Sequence, residues 1–176
     1  MKYFWLSRLF PRNARNLAYR AALLRAEGGD AEAQFGLGLR FSVDGDSQDL
    51  PKAAEWYRKA AGQNHHLAQF NLGIMLSRGH GIEKDDSAAL VWMQRAAASG
   101  DAGAQFNLGN RCQRESMVGS GPASAEFRIE AYKWFSLSAA QGYKDSATFF
   151  ERASYGMSRD EVTEGIQRAS AFVVAE

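Results

Sequence analysis

The chain repeats itself roughly every 36 residues, the spacing of stacked two-helix units. Ala33-Gln34-Phe35-Gly36-Leu37-Gly38 returns as Ala68-Gln69-Phe70-Asn71-Leu72-Gly73 and again as Ala104-Gln105-Phe106-Asn107-Leu108-Gly109. Downstream of each copy stands a tryptophan with a small pair behind it: Trp56 with Ala60-Ala61, Trp92 with Ala96-Ala97, and Trp134 with Ser138-Ala139. A turn signal follows each tryptophan at Asn64, Gly100 and Gly142. Self-similarity of this kind means supersecondary units that cannot bury their apolar faces alone and must share them with neighbours. Such stacks present a surface; they do not enclose a reaction.

The residues between these landmarks read as helices. An N-terminal arm over 1–11 ends at Pro11. A capping helix within 12–29 starts after Asn13 and stops at Gly28-Gly29, where glycine can adopt the left-handed conformation that ends a helix. Repeat one covers 30–64, with Asp30 as cap, a first helix to Ser42, a turn at Val43-Asp44-Gly45-Asp46, and a second helix opened by Asp49 and Pro51. Asp44, Asp46 and Asp49 resemble the start of a calcium loop, but the later glutamate is missing, so they serve as turn formers and caps. Repeat two covers 65–100, with Gly79-His80-Gly81 between its helices, and repeat three covers 101–142. From motif glycine to tryptophan the count is 18, 19 and then 25, so repeat three carries extra residues around 115–127. An insertion in a repeat array is expected in a loop, either as a binding feature or as a tolerated surface excursion. Residues 143–176 supply C-terminal capping helices, the last opened by a Ser158–Glu161 capping box and carrying Val162, Ile166 and Ala169 at helical spacing.

In-register Gly38, Gly73 and Gly109 lie inside the first helices, where each costs about 1 kcal/mol against alanine. Three such positions imply a close helix–helix contact. Trp56 and Ala60 are neighbours at i and i+4, a large residue beside a small one.

These motifs together resemble the Sel-one-like repeat, related to tetratricopeptide repeats, over about residues 30–143. The resemblance implies an all-α fold: an α/α solenoid of three helical hairpins with N- and C-terminal capping helices. It departs in places: repeat one offers only Gly45 of the Gly-x-Gly turn, Gly119-Ser120-Gly121 is displaced, and the helix aromatic at Phe41 becomes Leu76 and Cys112. The family implies adaptor and scaffold roles, often in bacteria. Its disulfide-rich secreted branch is not indicated, because Cys112 is alone.

Charge narrows the partner. The net charge is +1, so no global field selects a polyanion. Residues 1–26 hold six Lys/Arg and no acid, and the remainder holds 15 bases against 20 acids. The arm, with Tyr3, Phe4, Trp5, Leu6, Leu9 and Phe10 among its bases, suits either weak contact with an anionic membrane surface or packing on the first helix. No nucleic acid is expected as partner. Without a secretory or membrane-spanning segment the expected compartment is the cytoplasm.

The candidate partner-binding residues lie on the first helices. Phe35, Phe70 and Phe106 share one repeat position; Leu39, Ile74 and Asn110 follow four residues on, and Ser42, Ser77 and Gln113 beyond. By analogy with tetratricopeptide stacks this stripe lines an inner groove that grips a peptide or helix. The competing reading places the phenylalanines between adjacent repeats. His65, His66 and His80 lack ligands at metal spacing. Cys112 stands where the repeat wants an apolar side chain and reads as a buried, inert thiol. No cofactor is implied. The expected function is a non-enzymatic adaptor or scaffold for a protein or peptide partner. Alternatives are a dedicated inhibitor of one partner, similar to an immunity protein, or a hydrolase using scattered groups such as Glu55 or Asp145.

Overall fold

A computed structural model describes residues 12–43, 48–118 and 120–174, with side chains from Leu17 onward. The arm over 1–11, the turn residues Asp44, Gly45 and Asp46, and Gly119 lie outside the described residues. The described residues form nine helices and no strand: α1 (Arg12–Glu27), α2 (Ala31–Ser42), α3 (Leu50–Ala61), α4 (His66–Arg78), α5 (Asp86–Ala98), α6 (Ala102–Val118), α7 (Pro122–Ala140), α8 (Ser146–Ala153) and α9 (Arg159–Ser170). From α1 to α8 each helix packs on the next, α2 also meets α4, and α7 carries both α8 and α9. The chain is thus an all-α solenoid of three hairpins, α2–α3, α4–α5 and α6–α7.

The register seen in the sequence is a register of local chemistry. Gly29, Asn64, Gly100 and Gly142 all turn left-handed, at φ 96°, 64°, 86° and 66°. The next residue in the first three of these turns caps the helix that follows. Asp30, His65 and Asp101 accept from the backbone N–H of Ala33, Ala68 and Ala104 at 2.9, 3.3 and 2.7 Å. Each cap satisfies a donor that would otherwise be orphaned at the helix start. The motif glutamine then ties one unit to the unit before. Gln34, Gln69 and Gln105 donate from Nε2 to the carbonyls of Ala26, Ala61 and Ala97 at 2.9, 3.2 and 3.2 Å. Ala26 holds the place in α1 that Ala61 and Ala97 hold in α3 and α5, so α1 packs on hairpin one as the second helix of a unit would.

The glycine contact is the tightest in each hairpin. A Cβ added at Gly38 would fall 2.5 Å from the Tyr57 ring, and one at Gly109 2.7 Å from the Phe135 ring. At Gly73 the neighbour is Met93, at 3.2 Å. The residue on the glycine is therefore the one after each tryptophan, and Tyr57 and Phe135 are buried to 2% and 0% exposure. The tryptophans themselves are half-buried and pack toward the preceding cluster, with Lys59, Arg95 and Lys133 over their rings. The sequence pattern had pointed to the tryptophan as the large partner of the small residues; its neighbour does that work. Gly81 meets two demands at once: φ is 70°, and an added Cβ would lie 2.4 Å from the Leu50 backbone of the preceding hairpin. The Gly-x-Gly turn of hairpin two thus rests directly on hairpin one.

Several expectations change. The helix that Asn13 was to cap already begins at Arg12. The extra residues of repeat three do not form a loop. They lengthen α6 to 17 residues and α7 to 19, against 12 or 13 in α2 through α5. Pro122 starts α7 at the position where its missing N–H costs nothing, so only a short turn remains between the two helices. The Ser158–Glu161 capping box is formed. The helix it opens does not dock through Ile166, which is 51% exposed, but through buried Gly165, whose Cα lies against the Tyr132 ring.

Candidate partner-binding face

The first helices α2, α4 and α6 carry the candidate stripe, and the structure divides it into two sets. The aromatic rings sit at the joints between units. Phe35 stacks on the His65 ring of the next unit, with centroids 4.5 Å apart, and lies 5.9 Å from Tyr57. Phe70 presents its Cζ to Gly103 of hairpin three, 3.0 Å from where a Cβ would stand. Phe106 meets Phe135, Tyr143 and Phe149 at 5.8, 5.8 and 5.0 Å. All three rings are half-buried. Burial of this kind adds about 0.5–1.5 kcal/mol per aromatic pair to the area term and locks neighbouring hairpins together.

The second set differs in exposure: Leu39 is exposed, whereas Ile74, Asn110 and Gln113 are half-buried like the rings. Leu39 is 41% exposed. Ser42 and Ser77 turn their hydroxyls back to the carbonyls of Leu39 and Ile74 at 2.9 Å, and Asn110 donates to the Phe106 carbonyl at 3.1 Å. Ser42 Oγ also lies 3.1 Å from the Tyr57 hydroxyl. Ile74 and Gln113 line two separate grooves. The groove of Ile74, about 270 Å³, opens between α4 and α6 with α5 as its floor; Ser77, Arg78, Leu90, Met93, Asn107, Leu108, Arg111 and Arg114 line it too. The groove of Gln113, also about 270 Å³, lies between α6, α7 and α8 beside Met117, Arg128, Arg152 and Tyr155. A third, of about 510 Å³, separates α1 from α2 and is lined by Tyr19, Arg25, Leu37 and Arg40.

Among the described residues no three His, Cys, Asp or Glu side chains cluster to hold a metal ion. His65 is committed to its cap and to Phe35. His66 stands 3.5 Å from Asp101, and His80 is exposed. Glu55 and Asp145 are both exposed, on α3 and at the start of α8. Cys112 is half-buried, not fully buried as its repeat position suggests, and burial together with nearby Glu130 pushes its thiol up to about 11. It is therefore protonated and a poor nucleophile at neutral pH. Asp30 and Asp49 are held below the usual carboxylate range. Its own cap bond to Ala33 contributes most at Asp30, and the Lys52 ammonium, 2.6 Å away, contributes most at Asp49. No described helix is long and apolar enough to cross a membrane.

The arginines were not legible as a group. Arg78, Arg111 and Arg114 are spread over two repeats in the sequence, and only the stacking of α4 on α6 gathers them at one groove.

Comparison with known proteins agrees with this architecture. The Sel1 repeat model matches residues 31–65, 66–101 and 102–143. Among solved structures, a protective antigen present in uropathogenic Escherichia coli strains, displaying an SLR fold, superposes with a TM-score of 0.75 at 28% identity over 90% of this chain. The chain spans 33% of that protein's length. A Sel1 repeat protein from Oxalobacter formigenes superposes with a TM-score of 0.64 at 32% identity, covering 78% of this chain and 98% of that one.

Proposed function

Because the chain belongs to the Sel1 repeat family, whose members are generally protein-interaction modules and typically non-catalytic, we propose that it is an adaptor or scaffold. It captures a protein or peptide partner along the face built by α2, α4 and α6. The observation that carries this reading is the set of open grooves beside α2, α4 and α6, with Leu39 exposed and Ile74 lining one of them. Phe35, Phe70 and Phe106 contribute by holding the hairpins at the spacing that keeps the grooves open. Leu39, Ile74, Asn110 and Gln113 make the contacts with the partner. A preformed face of this kind binds without paying to order itself.

The test is affinity capture from the native cell with the intact chain and with Leu39→Ala and Asn110→Ala variants, read by quantitative mass spectrometry and paired with thermal melts. A specific protein should be recovered by the parent and lost by at least one variant whose melting temperature is unchanged. Recovery of the same protein by every face variant would reject this face as the binding surface.

A further inference from the structure

The groove between α4 and α6 gathers positive charge from two hairpins. Beyond residue 26 the chain holds 15 Lys/Arg and 20 Asp/Glu, so any attraction for an acidic partner must be local. Here Arg78 from α4 and Arg111 and Arg114 from α6 converge on one opening. Arg78 and Arg114 make no ion pair among the described residues, and Arg111 reaches only Glu115, at 3.8 Å. All three arginines are exposed. The one carboxylate at the rim, Asp86, is already paired with Lys84 at 3.1 Å. Beneath these cations the floor is aliphatic: Leu90, Met93 and Leu108, with Ile74 on the wall. Three arginines elsewhere are held by carboxylates: Arg168 grips Glu126, Glu130 and Glu164, Arg128 binds Glu161, and Arg25 binds Asp30.

We propose that this groove takes an acidic segment of a partner protein, with one aliphatic side chain seated on the floor and flanking carboxylates held by Arg78, Arg111 and Arg114. The proposal rests on the adaptor reading above and names the partner's chemistry. Guanidinium forks match carboxylates in paired hydrogen bonds, and arginine gives up its hydration more readily than lysine. A volume of about 270 Å³ is below the usual range for a small-molecule site, and suits a side chain better than a cofactor. A nucleic-acid strand fits poorly. No aromatic ring lines the groove for a base to stack on, and Asp86 would face its phosphates.

The experiment pans a display library of random short peptides against the full chain. The best selected peptides are then titrated onto the parent, onto an Arg78→Ala/Arg114→Ala double variant, and onto Arg78→Lys and Leu39→Ala single variants. The expected result is enrichment of Asp and Glu around an aliphatic residue. Affinity should fall by about tenfold or more per arginine removed, the scale of a hydrogen bond to a charged group. It should fall further as salt is raised, and be partly kept by Arg78→Lys. Melting temperatures of the arginine variants should match the parent, since these side chains project from the surface. Selected peptides without acidic enrichment, or peptides that bind the double variant as well as the parent, overturn the proposal. So does a single-stranded oligonucleotide that competes them off through the same arginines. If peptides bind and are lost only in Leu39→Ala, the adaptor reading stands and the groove assignment falls. If no peptide is selected at all, both fall.

Discussion

In hairpin two, α4 and α5 are 13 residues each and Met93 lies on Gly73; in hairpin three, α6 has 17 residues, α7 has 19, and the Phe135 ring lies on Gly109. Both begin from the same Ala-Gln-Phe-Asn-Leu-Gly motif. Hairpin two has a neighbour on each side and needs only the standard contacts. Hairpin three also carries α8 and α9. Its added length falls in the first turns of α7, and α9 docks there: Glu126 and Glu130 take Arg168, Arg128 takes Glu161, and Tyr132 receives Gly165. Phe135, Phe106, Phe149 and Tyr143 close an aromatic cluster where hairpin two has a flexible methionine. The comparison teaches that an insertion in a repeat can be a platform for the terminal cap as readily as a binding loop.

The largest expected effect comes from removing the ring at that end. Phe135→Ala should cost about 3–5 kcal/mol in urea unfolding, because a fully buried ring inside a rigid cluster leaves a void that cannot collapse. Met93→Ala should lie toward the low end of about 2–5 kcal/mol, since the neighbouring Ile74, Leu90 and Leu108 can close in part of the space. Equal losses would remove the distinction between the two hairpins. Next in size is the glycine pair. Gly109→Ala sets a Cβ 2.7 Å from an immobile ring and should destabilise by about 1–3 kcal/mol. Gly73→Ala meets Met93 Cε and Cγ, both at 3.2 Å, and the Ala89 carbonyl at 3.3 Å, wider contacts than at Gly109. Its gain of about 1 kcal/mol in helix propensity should bring it near neutral. A Gly73→Ala penalty as large as that of Gly109→Ala would mean that backbone spacing, not the partner side chain, sets the cost.

One further effect has the opposite sign. Gln63 and Gln141 donate to the side-chain oxygens of Gln34 and Gln105 at 2.8 and 2.9 Å. The corresponding position in hairpin two is Ser99, too short to reach, and Gln69 Oε1 is buried with no partner among the described residues. Ser99→Gln should complete the ladder and raise stability by about 1 kcal/mol, visible as a higher melting temperature. No gain, or a loss, would show that the oxygen is already satisfied in solution.

The fold was readable because its signals are local and recur. Asp30, Asn64, Gly100, Gly142, Pro51 and the Ser158–Glu161 box each act within a turn of their own position, and repetition multiplied a weak signal by three. The binding face was readable only as a stripe. Phe35, Phe70 and Phe106 share a helical face with Leu39, Ile74 and Asn110, and periodicity cannot separate a ring that seals a joint from a side chain that edges a groove. That depends on what the next unit places opposite: His65, Gly103, and Tyr143 with Phe149. The glutamine ladder carried a signal too, in the recurrence of Gln34, Gln69 and Gln105. Its meaning requires a carbonyl from the preceding helix.

By itself, then, the order of residues determined where helices begin and end, how many hairpins there are, and that they share apolar faces, because caps, turns and helical spacing act over a few residues. The tertiary structure alone decided which large side chain rests on each glycine, that the insertion lengthens helices instead of looping out, and that three arginines from two repeats meet over one aliphatic floor. Those outcomes depend on distances between residues far apart in the chain, which are set only when one hairpin is laid against the next.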